Sequence, residues 1–209
     1  MGTSKGLELA QRFHQKCKIK YKNYYVLKCD ISKFFANIDH DILKEKLQRR
    51  IKDKDSLKIV FDIIDSNEEG LFIGSMTSQI LAIFYLNDMD HFIKENLKIK
   101  YYVRYQDDFL LFHESKDYLK FCLEEIGKFL DTQKLKLNIK TRIYKSTNNF
   151  LFLGRDTNNN YSRYRTVKRK LKNKYFLYKN HKLSLGSFIS SLKCYEQLCN
   201  RNNLFKLKK

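Results

Sequence analysis

Two adjacent carboxylates, Asp107 and Asp108, lie between strand-like apolar runs, Tyr101-Tyr102-Val103-Arg104 before and Phe109-Leu110-Leu111-Phe112 after. Runs of this kind around a few polar residues predict a β-hairpin with Tyr105-Gln106-Asp107-Asp108 at its tip. Two like charges side by side repel unless something positive lies between or beside them. A divalent cation answers that need, because Mg²⁺ is held by a couple of carboxylates and keeps its other positions for water and phosphate. Paired aspartates are also ordinary turn chemistry, so the reading depends on a third carboxylate.

Asp30 is that third group. It closes the run Tyr24-Tyr25-Val26-Leu27-Lys28-Cys29, whose aromatic and β-branched content suits a buried strand. Ile31-Ser32-Lys33-Phe34-Phe35 follows, and Asp39 then caps a helix on which Leu43, Leu47 and Ile51 recur at helical spacing. A carboxylate where a strand gives way to a loop, facing a hairpin with two more, can build a two-metal site. Such a site activates an attacking oxygen and stabilises a leaving phosphate oxygen in an in-line displacement. Taken alone, Asp30 would be read as a strand end.

The elements that must hold these groups form an α+β pattern. Residues 1–20 read as a basic helix, and Met76 to about Leu97 as one long helix. Asp117 to Leu130 reads as an amphipathic helix with Tyr118, Phe121, Cys122, Ile126 and Phe129 on or near one face. Leu135, Leu137 and Ile139 alternate as in a strand. Beyond Gly154 the character changes: Asn158-Asn159-Asn160 is loop-like, Arg163 to Lys174 is densely basic, and helical spacing resumes with Phe188, Leu192, Tyr195 and Cys199. The expected division is residues 1–157 and 158–209.

The chain has 209 residues, enough for one sizeable core, and a formal charge of +19. That charge suits a protein that follows a phosphodiester backbone, with binding that weakens steeply in salt. The five cysteines (Cys17, Cys29, Cys122, Cys194 and Cys199) form no Cys-x-x-Cys pair, so reduced thiols in a cytoplasmic setting are expected. The five histidines are scattered and read as structural. No signal peptide or spanning apolar stretch is seen.

The motifs together resemble prokaryotic reverse transcriptases. Lys28 to Phe35 is similar to their first catalytic motif, and Gly70-Leu71-Phe72-Ile73-Gly74-Ser75-Met76-Thr77-Ser78-Gln79 to their template- and nucleotide-contacting motif. Arg104 to Asp108 resembles the metal-binding hairpin, Leu135 to Thr141 the following palm motif, and Phe150-Leu151-Phe152-Leu153-Gly154 the primer grip. The resemblance implies a right-hand polymerase palm, an antiparallel sheet backed by helices, with partial fingers and a partial, helical thumb-like C-terminus. It also implies that Asp30, Asp107 and Asp108, with the Ile31 carbonyl, hold two Mg²⁺ ions (Mn²⁺ as substitute). Phe35 would exclude a ribose 2′-hydroxyl, with Phe34 competing for that role. Ile73 and Gly74 would lie against the nascent base pair, Gln79 would help place the template, Lys140 would act as acid for pyrophosphate, and Leu153 and Gly154 would belong to the primer grip.

The implied partners are an RNA template, a DNA or RNA primer, deoxynucleoside triphosphates and a basic accessory protein of the retroelement, with no membrane. Ile73 stands where most such enzymes have glutamine, and Ser78-Gln79 replaces Ser-Pro. This pattern is similar to enzymes of diversity-generating retroelements, which copy RNA with errors at adenines, and the chain also has group II intron-like features. In the family an arginine-bearing fingers segment precedes the Gly2-Thr3-Ser4-Lys5 type of sequence, which here follows Met1 directly. A fragment, an internal start or a degenerate copy would each account for that, and Lys5 and Arg12 are weak substitutes for the arginine. A non-catalytic RNA-binding remnant and a two-metal nuclease are the rival readings. The nuclease would need neither Phe35 nor the Gly70–Gln79 motif.

Overall fold

The computed structural model describes residues 2–148, 150–156 and 164–198. These belong to two compact units, Met1–Asn148 and Asn149–Lys209. The first is built on an antiparallel sheet of β1 (Tyr25–Asp30), β2 (Tyr101–Tyr105), β3 (Asp108–His113) and β4 (Arg142–Lys145), in the order β2-β3-β1-β4. The hairpin expected around Asp107 is the β2–β3 pair, and β3 lies in the middle beside β1.

Side chains alternate across this sheet with the period of two that strands impose. Leu27, Cys29, Phe109 and Leu111 turn to one face and join the main core. Val26, Lys28 and Asp30 turn to the other, beside Asp108, Leu110 and Phe112 of β3. Helix α1 (Thr3–Lys20) covers part of that second face, with the Phe13 ring 6.1 Å from Phe112 and 5.5 Å from Tyr101. Val26, Leu110 and Phe112 are buried, whereas Lys28, Asp30 and Asp108 at the far end remain partly open. Burial of the thiols of Cys17 and Cys122 pushes them up to about 12 and about 11, so both are inert packing groups.

Helix α2 (His40–Arg50) starts as expected, with the Asp39 carboxylate accepting the Ile42 amide at 3.0 Å. Helix α3 (Lys54–Asp65), capped by Asp53, was not anticipated. The single helix expected from Met76 to Leu97 is three pieces: α4 (Met76–Tyr85), α5 (Asn87–His91) and a π turn over Phe92–Asn96. The break falls at Leu86, where Lys46 Nζ reaches in and donates to the Tyr85 carbonyl at 2.7 Å. A distant lysine thereby interrupts a sequence with good helical propensity.

Helix α6 (Lys116–Thr132) buries Leu119, Cys122, Ile126 and Leu130. Its buried stripe is rotated from the expected one, and Phe121 is 48% exposed. Nor does Leu135–Ile139 form a strand: Leu137 makes one bridge to Ile31, and Ile139 is 94% exposed. The Asn138 carboxamide accepts the Lys140 amide and its carbonyl accepts the Thr141 amide, a local turn that competes with extension.

The second unit contains the short antiparallel pair β5 (Leu151–Phe152) and β6 (Arg155–Asp156) and two helices, α7 (Tyr164–Lys179) and α8 (Leu185–Leu198). The Asn158–Asn160 segment, Arg163 and Cys199 lie outside the described residues. No described helix is long and apolar enough to cross a membrane.

Candidate active site

Register decides what meets at the open end of the sheet. Asp30, last in β1, is the cross-strand partner of Asp108, first in β3. Asp107 occupies the turn between β2 and β3, and its carbonyl accepts the Ile31 amide at 3.2 Å. All three predicted carboxylates are thus neighbours. Like charges directly opposed on a sheet repel, and burial adds to the cost. Desolvation, followed by the charge of Asp30, raises the Asp107 carboxyl above its usual range. Burial, only partly offset by Lys28 and reinforced by Asp30 and Asp107, pushes Asp108 up to about 6.

Lys28 is the cation that sequence reasoning passed over. Its Nζ lies 3.3 Å from Asp108 Oδ2. Two residues before Asp30 on the same strand, it had to share that carboxylate's face, and this spacing was the available signal. Asp108 Oδ1 is buried with no hydrogen-bond partner. An orphaned carboxylate oxygen among three acids marks a site short of positive charge, and a hard oxygen donor set suits Mg²⁺. The residues therefore fit the ion, although among the described residues no three His, Cys, Asp or Glu side chains converge into a ready-made cage.

The other predicted residues lie on several elements. Phe34 is buried at 2% exposure, whereas Phe35 is only partly buried and packs edge-on against it with centroids 5.6 Å apart. Of the two, Phe35 alone has a surface free to meet a ligand. The Phe35 carbonyl accepts the Leu71 amide at 2.8 Å, which ties the 70–79 segment to the Asp30 loop. Ile73 is 74% exposed, Gly74 takes φ +105°, and Gln79 is exposed on the first turns of α4. Gln79 lines a cleft of about 390 Å³ together with Ile83, Tyr105 and Gln106. Lys140 is exposed and reaches the Asp30 region only through Asn138, whose amide donates to the Asp30 carbonyl at 2.7 Å. Leu153 and Gly154 form the β5–β6 turn of the second unit, both in the left-handed region at φ +50° and +77°.

A family model described as reverse transcriptase (RNA-dependent DNA polymerase) matches residues 1–156. The chain belongs to the reverse transcriptase family. Its sheet with helices behind is the polymerase palm of that family. Among curated proteins it is similar to protein YkfC of Escherichia coli (strain K12), at 26% identity over 67% of this chain and 48% of that protein. Among solved structures it is similar to telomerase from Candida albicans in complex with the TWJ fragment of telomeric RNA. That match has a TM-score of 0.64 and 15% identity, covering 100% of this chain and 43% of the other. Apo telomerase from Candida tropicalis, truncated from its C-terminal domain, gives a TM-score of 0.60 at 19% identity over 74% of this chain and 38% of the other. This reverse transcriptase chain spans about half the length of YkfC and less than half of these telomerase chains.

The raised Asp108 carboxyl has a consequence for stability. Its proton is held more tightly folded than unfolded, so its contribution is full below the unfolded value near 4 and is lost as pH rises through about 6. At neutral pH the ionised group then costs on the order of 2 kcal/mol. Asp108→Asn keeps the shape and removes the charge. In EDTA at pH 7.5 the variant should melt higher than the parent by about 5 °C, and the gap should narrow as pH falls below about 6 and close near the unfolded value of about 4. A difference independent of pH would overturn this account.

Proposed function

We propose that this chain is the palm of an RNA-directed DNA polymerase of a bacterial or phage retroelement, acting in the cytoplasm by two-metal nucleotidyl transfer. The pairing of Asp30 with Asp108 across β1 and β3, with Asp107 in the adjoining turn, carries the proposal. Asp30, Asp107, Asp108 and the Ile31 carbonyl would hold two Mg²⁺ ions, which supply Lewis acidity at the α-phosphate and lower the pKa of the primer 3′-hydroxyl. The protein's part is electrostatic and positional: three fixed carboxylates at the rim of a rigid sheet, and Lys28 to offset their charge. The exposed Lys140 is assigned the proton for departing pyrophosphate. The substrates would be an RNA template, a DNA or RNA primer and deoxynucleoside triphosphates, with a basic accessory protein as further partner. The charge of +19 favours the nucleic acids. Mg²⁺-dependent extension of a primer on an RNA template tests the reading directly, and no extension under any primer chemistry would sink it.

Two features bear on selectivity. Phe35 offers a half-open ring beside the Asp30 loop, where it can exclude a 2′-hydroxyl by contact. Phe35→Ala should raise ribonucleotide relative to deoxyribonucleotide incorporation by about tenfold or more, the scale set by losing one steric contact. A folded, active variant with parental selectivity would move the gate elsewhere. Ile73, exposed and without a hydrogen-bonding side chain, offers shape alone to a base pair. We assign to it the error-prone copying at adenines of diversity-generating retroelements, with Leu153 and Gly154 on the primer.

A further inference from the structure

We infer that Arg104 and Asp90 form a clamp that positions the Asp107–Asp108 turn; the inference rests on the polymerase reading of that turn. Arg104 lies on β2 opposite Phe109 and its side chain is 7% exposed. Its Nε and Nη2 donate to the two oxygens of Asp90, on α5, at 2.7 and 2.5 Å. Tyr102 Oη donates to the same carboxylate at 2.6 Å. This fork would suffice to tie strand to helix, yet the guanidinium has further donors in use. Nη1 donates to the Gln106 carbonyl at 3.1 Å and Nη2 to the Ile83 carbonyl, in α4, at 3.4 Å.

Gln106 is the residue immediately before Asp107, and it sits in the left-handed region at φ +53°. A residue with a Cβ does not choose that conformation unaided, so something must hold it. The Arg104 arm grips the peptide joining Gln106 to Asp107. From the other side the Ile31 amide grips the Asp107 carbonyl at 3.2 Å. The two aspartates are therefore aimed by a turn pinned at both ends, once to Ile31 just beyond β1 and once through Arg104 to α4 and α5. Only a planar fork with several donors can serve three elements at once, and lysine cannot replace it. Arg104 and Asp90 touch no reacting atom and are positioning residues.

The test uses the full chain. Arg104→Lys keeps a cation beside Asp90 and loses the arm to Gln106. The double variant Arg104→Gln with Asp90→Asn replaces the buried ion pair by a neutral one that is too short for the turn, and so provides a second variant should the first fail to fold. Four quantities are read: Mn²⁺ binding by electron paramagnetic resonance without nucleic acid, kcat and nucleotide KM in Mg²⁺-dependent extension, and affinity for a primer–template duplex. Misplacing the turn by an ångström should lower kcat by about tenfold to a hundredfold, weaken Mn²⁺ binding several-fold, and leave KM and duplex affinity within about twofold. Adding Gln106→Asn to Arg104→Lys should recover part of the kcat, because asparagine tolerates the left-handed region. A folded variant with parental kcat and Mn²⁺ affinity overturns the clamp, as does a loss of duplex affinity equal to the loss of kcat. If the parent itself extends no primer, the polymerase reading fails, while the Mn²⁺ measurement still decides the clamp.

Discussion

Replacing Asp107 or Asp30 by asparagine is expected to lower primer extension by about a thousandfold or more, or about 4 kcal/mol of transition-state stabilisation, while the fold survives. Both substitutions keep the volume of the side chain, so no cavity opens. The local structure also rests on main-chain atoms that asparagine retains. The Asp107 carbonyl accepts from Ile31, and the Asp30 carbonyl accepts from Asn138. What each variant loses is a carboxylate charge in a cluster whose purpose would be to hold cations against a phosphate. Circular dichroism and an RNA gel shift should match the parent, and only Mg²⁺-dependent extension should vanish. Extension by either variant within tenfold of the parent would remove these residues from catalysis, and the two-metal mechanism with them.

Gly70→Ala is expected to destabilise the first unit by about 3–5 kcal/mol, in the range reserved for severe local conflicts, and to lower its melting temperature by roughly 10 °C. Gly70 adopts φ +63°, and a Cβ there would stand 2.4 Å from the Phe35 carbonyl oxygen and 2.7 Å from Cα and the carbonyl carbon of Ala36. These are backbone atoms, so no side chain can swing aside. The same approach carries the Leu71-to-Phe35 hydrogen bond, and His40 Nε2 lies 2.7 Å from the Gly70 carbonyl. Relief of the clash must therefore pull apart the contact between the Asp30 loop and the segment leading to Ile73. Gly74→Ala is the control. Gly74 also has positive φ, but nothing lies within 4 Å of its added Cβ, so its cost is backbone strain alone, about 1–2 kcal/mol. Thermal melts of the two variants that coincide would show that the close approach at Gly70 is without consequence.

Much of the site was legible because it depends on short-range rules. The aromatic and β-branched content of Tyr24 to Cys29 placed Asp30 at a strand end, the polar break after Arg104 marked the hairpin, and Asp39 announced the helix after Phe35. The order of five motifs carried the family. These are statements about neighbours in the chain, where residue type and spacing suffice. Other features depended on partners far away in sequence. Lys46 broke the helix at Leu86 from 39 positions away, and the Asn138 amide found its acceptor in the distant Asp30 carbonyl.

Charge at the site shows the same division. The sequence by itself determined that three carboxylates lie near a strand end and a turn, since each is local to its own segment. Only the tertiary structure decided that Asp30 faces Asp108 in register, that Lys28 reaches Asp108, and that Arg104 joins Asp90 to the Gln106 carbonyl. Register and ion pairing come from how separate segments pack. Burial then sets how much each charge matters, because the field of a charge is strong where water is excluded and weak where it is not.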